Sequence, residues 1–421
     1  MKKSLYLVTA FCMAAFSSCS SDEGLSPESG QEQTAKIQLT LTGSSATRAN
    51  STTDPATGVA SAEATVGNIV VGIFDGDGNK LVVQKVSSPS TSSANPITVP
   101  MVKGTMNGCT GVVVANVPAA SLSALESATI KTKTSFLAQT ISLQNATTLD
   151  GTDEGDDGDG DVQVSTILPM SGEVKDASGT AGVDGNADKD NNATTFSLTS
   201  GGTTSGLKAS LVRMVSRITL RSLSADFTGT AYPSATFKLQ RVFLRDAIDK
   251  NNVTTSATPA DAMPSDATYI KGGGTWSSTA WTDDVNDYLF DDLTGSEVPV
   301  TTATQPGGKY YWFYALANSS STNPTAFVIQ GLFNSGEEGA SDVPVFYPVI
   351  IGKIQTGTTF DTGTGSTTGS IIRNSLYNLT VNIKGKGATS PTDNINPVNL
   401  SISVEVAGWN TTIVGQTVDF D

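Results

Sequence analysis

The 421-residue sequence contains no histidine, so the commonest general base and the commonest zinc ligand are missing. Ser-His-Asp and Cys-His nucleophile chemistry is thereby excluded. Hydrolysis by two carboxylates, as in glycosidases, is the catalytic class left open, and no pair of acids stands out. Asp75, Asp77 and Asn79 have calcium-loop spacing. However, Lys80 stands where such a loop needs Gly and no Glu follows at the twelfth position, so a hairpin turn is expected. Asp153, Glu154, Asp156, Asp157, Asp159 and Asp161 crowd a Gly-rich run; a solvated loop is expected there, with bound Ca²⁺ as the alternative. Residues 363–369 only approach a dinucleotide fingerprint, with the wrong spacing and a strand to follow. Trp276, Trp281 and Tyr288 could stack on a sugar or cap a loop over the core. Cys109 precedes the apolar run 112–115 and reads as a small buried hydrophobe. The residues therefore point to no enzyme, no cofactor and no metal centre.

The ends carry more information. Lys2 and Lys3 precede an apolar stretch at residues 5–16, signal-peptide length and short of the roughly 20 residues a membrane span needs. Ser17-Ser18-Cys19 then resembles a bacterial lipobox, in which Cys19 is acylated; an ordinary cleaved signal is the alternative. A disulfide framework is excluded, since only Cys109 remains beyond the leader. Lys plus Arg number 25 against 40 Asp plus Glu, a net charge of −15. That balance disfavours nucleic acid and anionic membrane as partners, leaving an acyl anchor as the membrane contact. Gly, Ser and Thr are abundant and charged residues scarce, which favours strands joined by turns: an all-β protein.

Along the chain, residues 20–33 read as a polar tether. Ile37, Leu39 and Leu41 then alternate with polar residues over 36–42, a half-buried strand. Arg48 follows in a run of small polar residues and is the only basic residue between Lys36 and Lys80. Such a loop suits an Arg-specific protease, or holds an arginine without a role. Residues 68–74 and 81–83 form a hairpin, 112–116 a buried strand, and 119–143 contain a helix. Residues 211–221 open a second domain, with Arg213, Arg217 and Arg221 interleaved among Met214, Ile218 and Leu220 so that neither face is clearly apolar. Strands are expected at 237–244, 309–317, 325–332, 343–351 and 375–384, a long loop at 272–292 and a flexible hinge at 385–397. Finally, Leu400, Ile402, Val404 and Val406 alternate with polar residues, and Val414, Val418 and Phe420 extend the β pattern. Something must cover that apolar face.

Taken together, these segments resemble the Bacteroidales fimbrillins, the type V pilins, and most closely the fimbrillin A group. The resemblance rests on the leader with Cys19, the early strand before Arg48, Arg213-Met214-Val215-Ser216-Arg217 and Tyr310-Tyr311-Trp312-Phe313-Tyr314. It is strongest at Ile372-Arg373-Asn374-Ser375-Leu376-Tyr377-Asn378-Leu379, Val404-Glu405-Val406-Ala407-Gly408-Trp409 and Val414-Gly415-Gln416. It implies two transthyretin-like β-sandwich domains in tandem, at 49–208 and 209–384. These would follow a signal peptide (1–19) and a propeptide with a plug strand (20–48), and precede a hinge and donor-strand region (385–421). It further implies an outer-membrane lipoprotein precursor lipidated at Cys19 and cut by an Arg-specific protease between Arg48 and Ala49. Ile37, Leu39 and Leu41 would be the plug. Leu400, Ile402, Val404, Val406, Val414, Val418 and Phe420 would supply the donor strand to another copy, building a surface fimbria with accessory subunits. A tip or accessory adhesin and a glycan-binding surface lipoprotein are the alternatives.

Overall fold

The computed structural model describes residues 32–42, 50–51, 63, 66–90, 93–143, 163, 168–176, 194–272, 274–282, 289–302, 309–352, 354–356, 359–361, 369–393 and 400–408. The first half gives β1 (Gln33–Thr42), β2 (Asn50–Ser51), β3 (Ile69–Phe74), β4 (Lys80–Val86), β5 (Asn95–Val102) and β6 (Thr105–Ala115). After helices α1 (Ala119–Leu125) and α2 (Lys133–Leu137) come β7 (Thr140–Ser142), β8 (Met170–Asp176), β9 (Phe196–Thr199), β10 (Thr203–Ser210) and β11 (Val212–Arg213). The second half begins with β12 (Val215–Ala225), β13 (Thr236–Arg245), β14 (Ala247–Ile248), β15 (Lys250–Asn252) and helix α3 (Pro259–Ala262). Short strands β16 (Tyr269–Ile270), β17 (Thr275–Ser277), β18 (Ala280–Thr282), β19 (Phe290–Asp292) and β20 (Val298–Val300) follow. Then come β21 (Tyr310–Leu316), β22 (Ala326–Asn334), β23 (Val343–Ile350), β24 (Ile354–Thr356), β25 (Thr359–Asp361), β26 (Ser375–Ile383) and β27 (Leu400–Gly408). The architecture is all-β, as expected.

The first half builds a nine-stranded sheet with the path β4-β3-β6-β8-β10-β1-β5. It curls until its two ends meet. Gln84 on β4 accepts the Thr98 amide of β5 at 2.9 Å and donates to the Pro96 carbonyl at 3.5 Å, so neither terminal strand offers a bare ladder there. Alternating residues of β3 and β6 divide between two cores. Ile69, Val71, Ile73, Val113 and Ala115 fill the inside of the curl. Val70, Phe74, Val112 and Val114 join the core shared with the helices and the second half. Burial on both faces explains why these strands read as continuous apolar runs. Gly72 is required between them, because a Cβ there would lie 2.9 Å from the Phe74 ring.

The second half packs a sheet of order β2-β21-β12-β26-β27 against one of order β19-β13-β22-β23. Inward residues follow the two-residue period except at bulges. On β12, Ile218 and Leu220 give way to Leu223 and Ala225 across a register shift between Leu220 and Ser222. On β13, Phe237 and Leu239 give way to Val242 and Leu244 by the same device. The bulges, and the burial of β12 on both faces, account for the unresolved face assignment of 211–221.

Arg373 joins the halves. Its guanidinium donates to the carbonyls of Arg213 at 3.1 Å, Thr254 at 2.6 Å and Ser171 at 3.4 Å, and also to Val212. Burial disfavours its charged form and pushes its pKa down.

Two expected loops differ. The 272–292 segment contains a hairpin, β17–β18, rather than a plain loop, because Trp276 and Trp281 pair across it. The described part of the 385–397 hinge is docked. Ala388 and Phe346 exchange both backbone hydrogen bonds at 2.9 Å, and the Tyr347 hydroxyl donates to the Gly385 carbonyl at 2.8 Å. Gly387 permits this approach, since a Cβ there would sit 2.6 Å from the Phe346 carbonyl oxygen.

Candidate functional site

The first strand occupies an interior seat next to the end of the sheet path, parallel to β10 and antiparallel to the end strand β5. Its alternation is obeyed to the residue: Ala35, Ile37, Leu39 and Leu41 are 0–1% exposed. They meet Ile97, Val99 and Val102 from β5, Leu207 and Ala209 from β10, and Val71, Ile73 and Val113 across the core. Burying Ile37, Leu39 and Leu41 stabilises the fold by roughly 5–9 kcal/mol, at about 1.5–3 kcal/mol each. The Lys103–Glu32 pair at the strand's start, 2.6 Å apart and exposed on both sides, adds about 0–1 kcal/mol.

Both neighbours depart from a regular ladder to hold this strand. On β5 the register shifts between Gln33 and Ala35, opposite Pro100 and Met101. Pro100 has no N–H to pair, and Met101 takes a φ of 55° with its side chain 70% exposed. On β10 the shift lies between Ile37 and Leu39, opposite Ser205 and Gly206, with Gly206 at a φ of 79°. At the start of β5, Asn95 extends the ladder by its side chain, donating to the Leu39 carbonyl at 3.2 Å. The bulges and Asn95 were not read from the sequence. Pro100 and Gly206 were the available signals, each marking a strand irregularity.

Withdrawing β1 would leave a slot with apolar walls and two rows of unpaired N–H and C=O groups, on β10 and β5. Only another extended segment satisfies both at once.

The remaining sequence candidates are placed as follows. Leu400, Ile402, Val404 and Val406 lie on β27, which pairs antiparallel with β26 from Ile383↔Leu400 to Ser375↔Gly408 at the edge of its own sheet. Cys19, Arg48, Ala49, Val414, Val418 and Phe420 lie outside the described residues, as do Tyr288 and the acidic run at 153–161. Trp276 and Trp281 fold over the outer face of the β13-β22-β23 sheet, onto Phe243, Val328 and Phe346. Their indole N–H groups donate to the Thr389 carbonyl at 3.3 Å and Gln330 Oε1 at 2.9 Å, the engagement of a loop cap. The Asp75 carboxylate accepts from the Asp77 and Asn79 amides at 3.0 and 2.7 Å, which makes that segment a self-satisfied turn. Cys109 is fully buried, and burial raises its thiol pKa. Among the described residues no cluster of three or more His, Cys, Asp or Glu could hold a metal, and no helix is long and apolar enough to cross a membrane.

Two family models match the chain. The major fimbrial subunit protein (FimA) model covers residues 35–200, beginning inside β1, and the FimA4 pilin C-terminal domain model covers 335–409. The chain is 23% identical to the major fimbrium subunit FimA type-3 of Porphyromonas gingivalis, over 97% of this chain and 98% of that one. A fimbrilin (FimA) structure from P. gingivalis superposes with a TM-score of 0.51 at 16% identity, covering 92% of this chain and 99% of the other. A candidate cell-adhesion protein of Parabacteroides distasonis gives 0.55 at 19% identity, covering 90% and 100%. At such identities the superpositions speak for the fold, and the sequence models for the family. With fimbrial-subunit models matching residues 35–200 and 335–409 and an all-β fold shared along nearly its whole length, this chain is similar to the FimA fimbrial subunits.

Proposed function

We propose that this chain is the polymerising structural subunit of a surface fimbria, assembled by exchange of its first strand for a strand of another copy. The supporting observation is the interior seat of β1 between β10 and β5. A strand with ladders on both sides and three large aliphatic side chains in the core leaves a deep vacancy when removed. In this reading the precursor is held at the outer membrane by acylated Cys19. An Arg-specific protease then cuts between Arg48 and Ala49, and Ile37, Leu39 and Leu41 depart. The cut severs the acyl anchor and the plug together from the folded body. Head-to-tail donation is a heterologous contact that does not close, so it produces a fibre. Until the cut, β1 keeps the slot covered and suppresses edge-to-edge aggregation.

The donor comes from the C-terminal region. Because Leu400–Gly408 is laddered to β26 of its own chain, the segment beyond it, with Val414, Val418 and Phe420, is the part given away. Mass spectrometry of the protein extracted from the cell surface tests the whole reading. Subunits beginning at Ala49 within SDS-resistant ladders are expected; subunits still acylated at Cys19 would point to an anchored, non-polymerising role.

A further inference from the structure

The two walls of the β1 seat are anchored differently. Behind β10 stands β8, laddered to it from Leu207↔Asp176 to Ala209↔Val174. β5 is the last strand of the path and has no second ladder among the described residues. The Lys36 amide donates to the Gly202 carbonyl on the β10 side at 3.0 Å, so its cross-strand partner Thr98 turns its own amide away from β1. Pro96 and Pro100 stand two residues to either side of Thr98. The amides they lack would have faced the same way. The prolines therefore cost the β1 ladder nothing and bar β5 from forming one with β4.

Gln84 of β4 fills this gap. Its Oε1 accepts the Thr98 amide at 2.9 Å, and its Nε2 donates to the Pro96 carbonyl at 3.5 Å. Along β4 it falls between Val82 and Val86, which pack against the inner core of the curl. A polar side chain in that alternating apolar face needs a partner, and it finds one in the β5 backbone.

We infer that Gln84 is a positioning residue of the strand-accepting seat: it clasps β5 to β4, so that the β5 wall keeps its place when β1 is absent. The inference rests on the strand-exchange reading and adds a residue to it. For a strand to be gripped on both sides, β5 and β10 must stay about 9.5 Å apart, two inter-strand spacings. While β1 is seated, its ladders enforce that distance and Gln84 adds little to global stability. Once β1 leaves, β10 is still held by β8. β5 is left with the core packing of Ile97, Val99 and Val102, and with the clasp. An unclasped β5 has to be ordered again by each incoming strand, which weakens binding.

The β1 sequence itself is the probe, because its fit to the seat is known. A fluorescent peptide of residues 32–42 is titrated onto chain cut by an Arg-specific protease and stripped of β1 in mild denaturant. Gln84→Ala should weaken uptake about fivefold, the scale of one hydrogen-bonding side chain. The melting temperature of the uncut variant should stay within about two degrees of the wild type. Gln84→Glu keeps an acceptor for the Thr98 amide and should recover most of the loss. Equal peptide affinity in the wild type and Gln84→Ala overturns the clasp. So does a large loss of stability in the uncut variant, which would make Gln84 a general structural residue. If the cut wild type takes up no peptide, the strand-exchange reading fails instead, and the uncut chain still decides. There, hydrogen exchange over residues 95–102 should run about fivefold faster in Gln84→Ala with 203–210 unchanged, and equal rates overturn the inference.

Discussion

Asn95 donates its side-chain amide to the carbonyl of Leu39 at 3.2 Å, and Leu39 is also its ladder partner across the sheet. The same amide reaches the Ser90 carbonyl at 2.8 Å, and Asn95 Oδ1 accepts the Ser90 amide at 2.7 Å. One buried side chain thus ties the loop ahead of β5 to the middle of β1. Asn95→Ala should lower stability by about 1–3 kcal/mol, since it leaves buried polar groups unpaired. A urea titration measures this directly. An unchanged midpoint would show that the loop and β1 are not coupled through Asn95.

Arg48→Ala should leave a folded, full-length protein that forms no fibres. Arg48 is the only basic residue between Lys36 and Lys80, so an Arg-specific protease has no alternative arginine nearby. Electron microscopy and intact mass are the measurements, and normal fibres from this variant would remove the processing step.

Cys19→Ser should release the precursor from the membrane fraction, because about a dozen apolar leader residues do not make a span. Detergent phase partitioning measures it; unchanged partitioning would remove the lipobox assignment.

Deleting residues 411–421 should leave the melting temperature within a few degrees of the intact chain and abolish polymerisation. The ladder of β27 on β26, ending at Gly408, is retained in this truncation. A stability loss of several kcal/mol would mean that these residues belong to their own core and that the donor lies elsewhere.

Alkaline pH should destabilise the protein from about pH 10 upward. Burial pushes Tyr311 up to about 12, and holds Tyr314, Tyr347 and Tyr377 above the ordinary phenol range, with Glu63 adding to the effect at Tyr314. Between about pH 10, where an unfolded tyrosine ionises, and these higher folded values, the folded state binds more protons than the unfolded one. Stability is therefore complete below pH 10 and falls as pH rises through the window. Arg213 and Arg373 are shifted downward by burial and act in the opposite sense. Their effect is small, because an arginine hardly gives up its proton in water or in a protein. Denaturant midpoints from pH 8 to 11.5, with tyrosinate absorbance at 295 nm, check the sign.

The position and facing of β1 were legible from residues 36–42 because alternation is a local property: Ile37, Leu39 and Leu41 announce a buried face whatever covers it. The same holds for the 68–83 hairpin, whose Asp75 turn is satisfied within five residues. The absence of histidine likewise excluded whole classes of chemistry before any fold was known. What only the tertiary structure decided is who stands opposite. Arg217 read as one of three interleaved polar residues, yet it is buried against Glu63, 154 positions away. Gln163 and Tyr314, which complete one edge, are separated by 151 positions. The 385–397 segment carries hinge-like composition, and docking on β23 overrode it where it is described. Composition and period report a residue's own preferences, whereas a buried charge or a guarded edge depends on a partner brought near only when the sheets close.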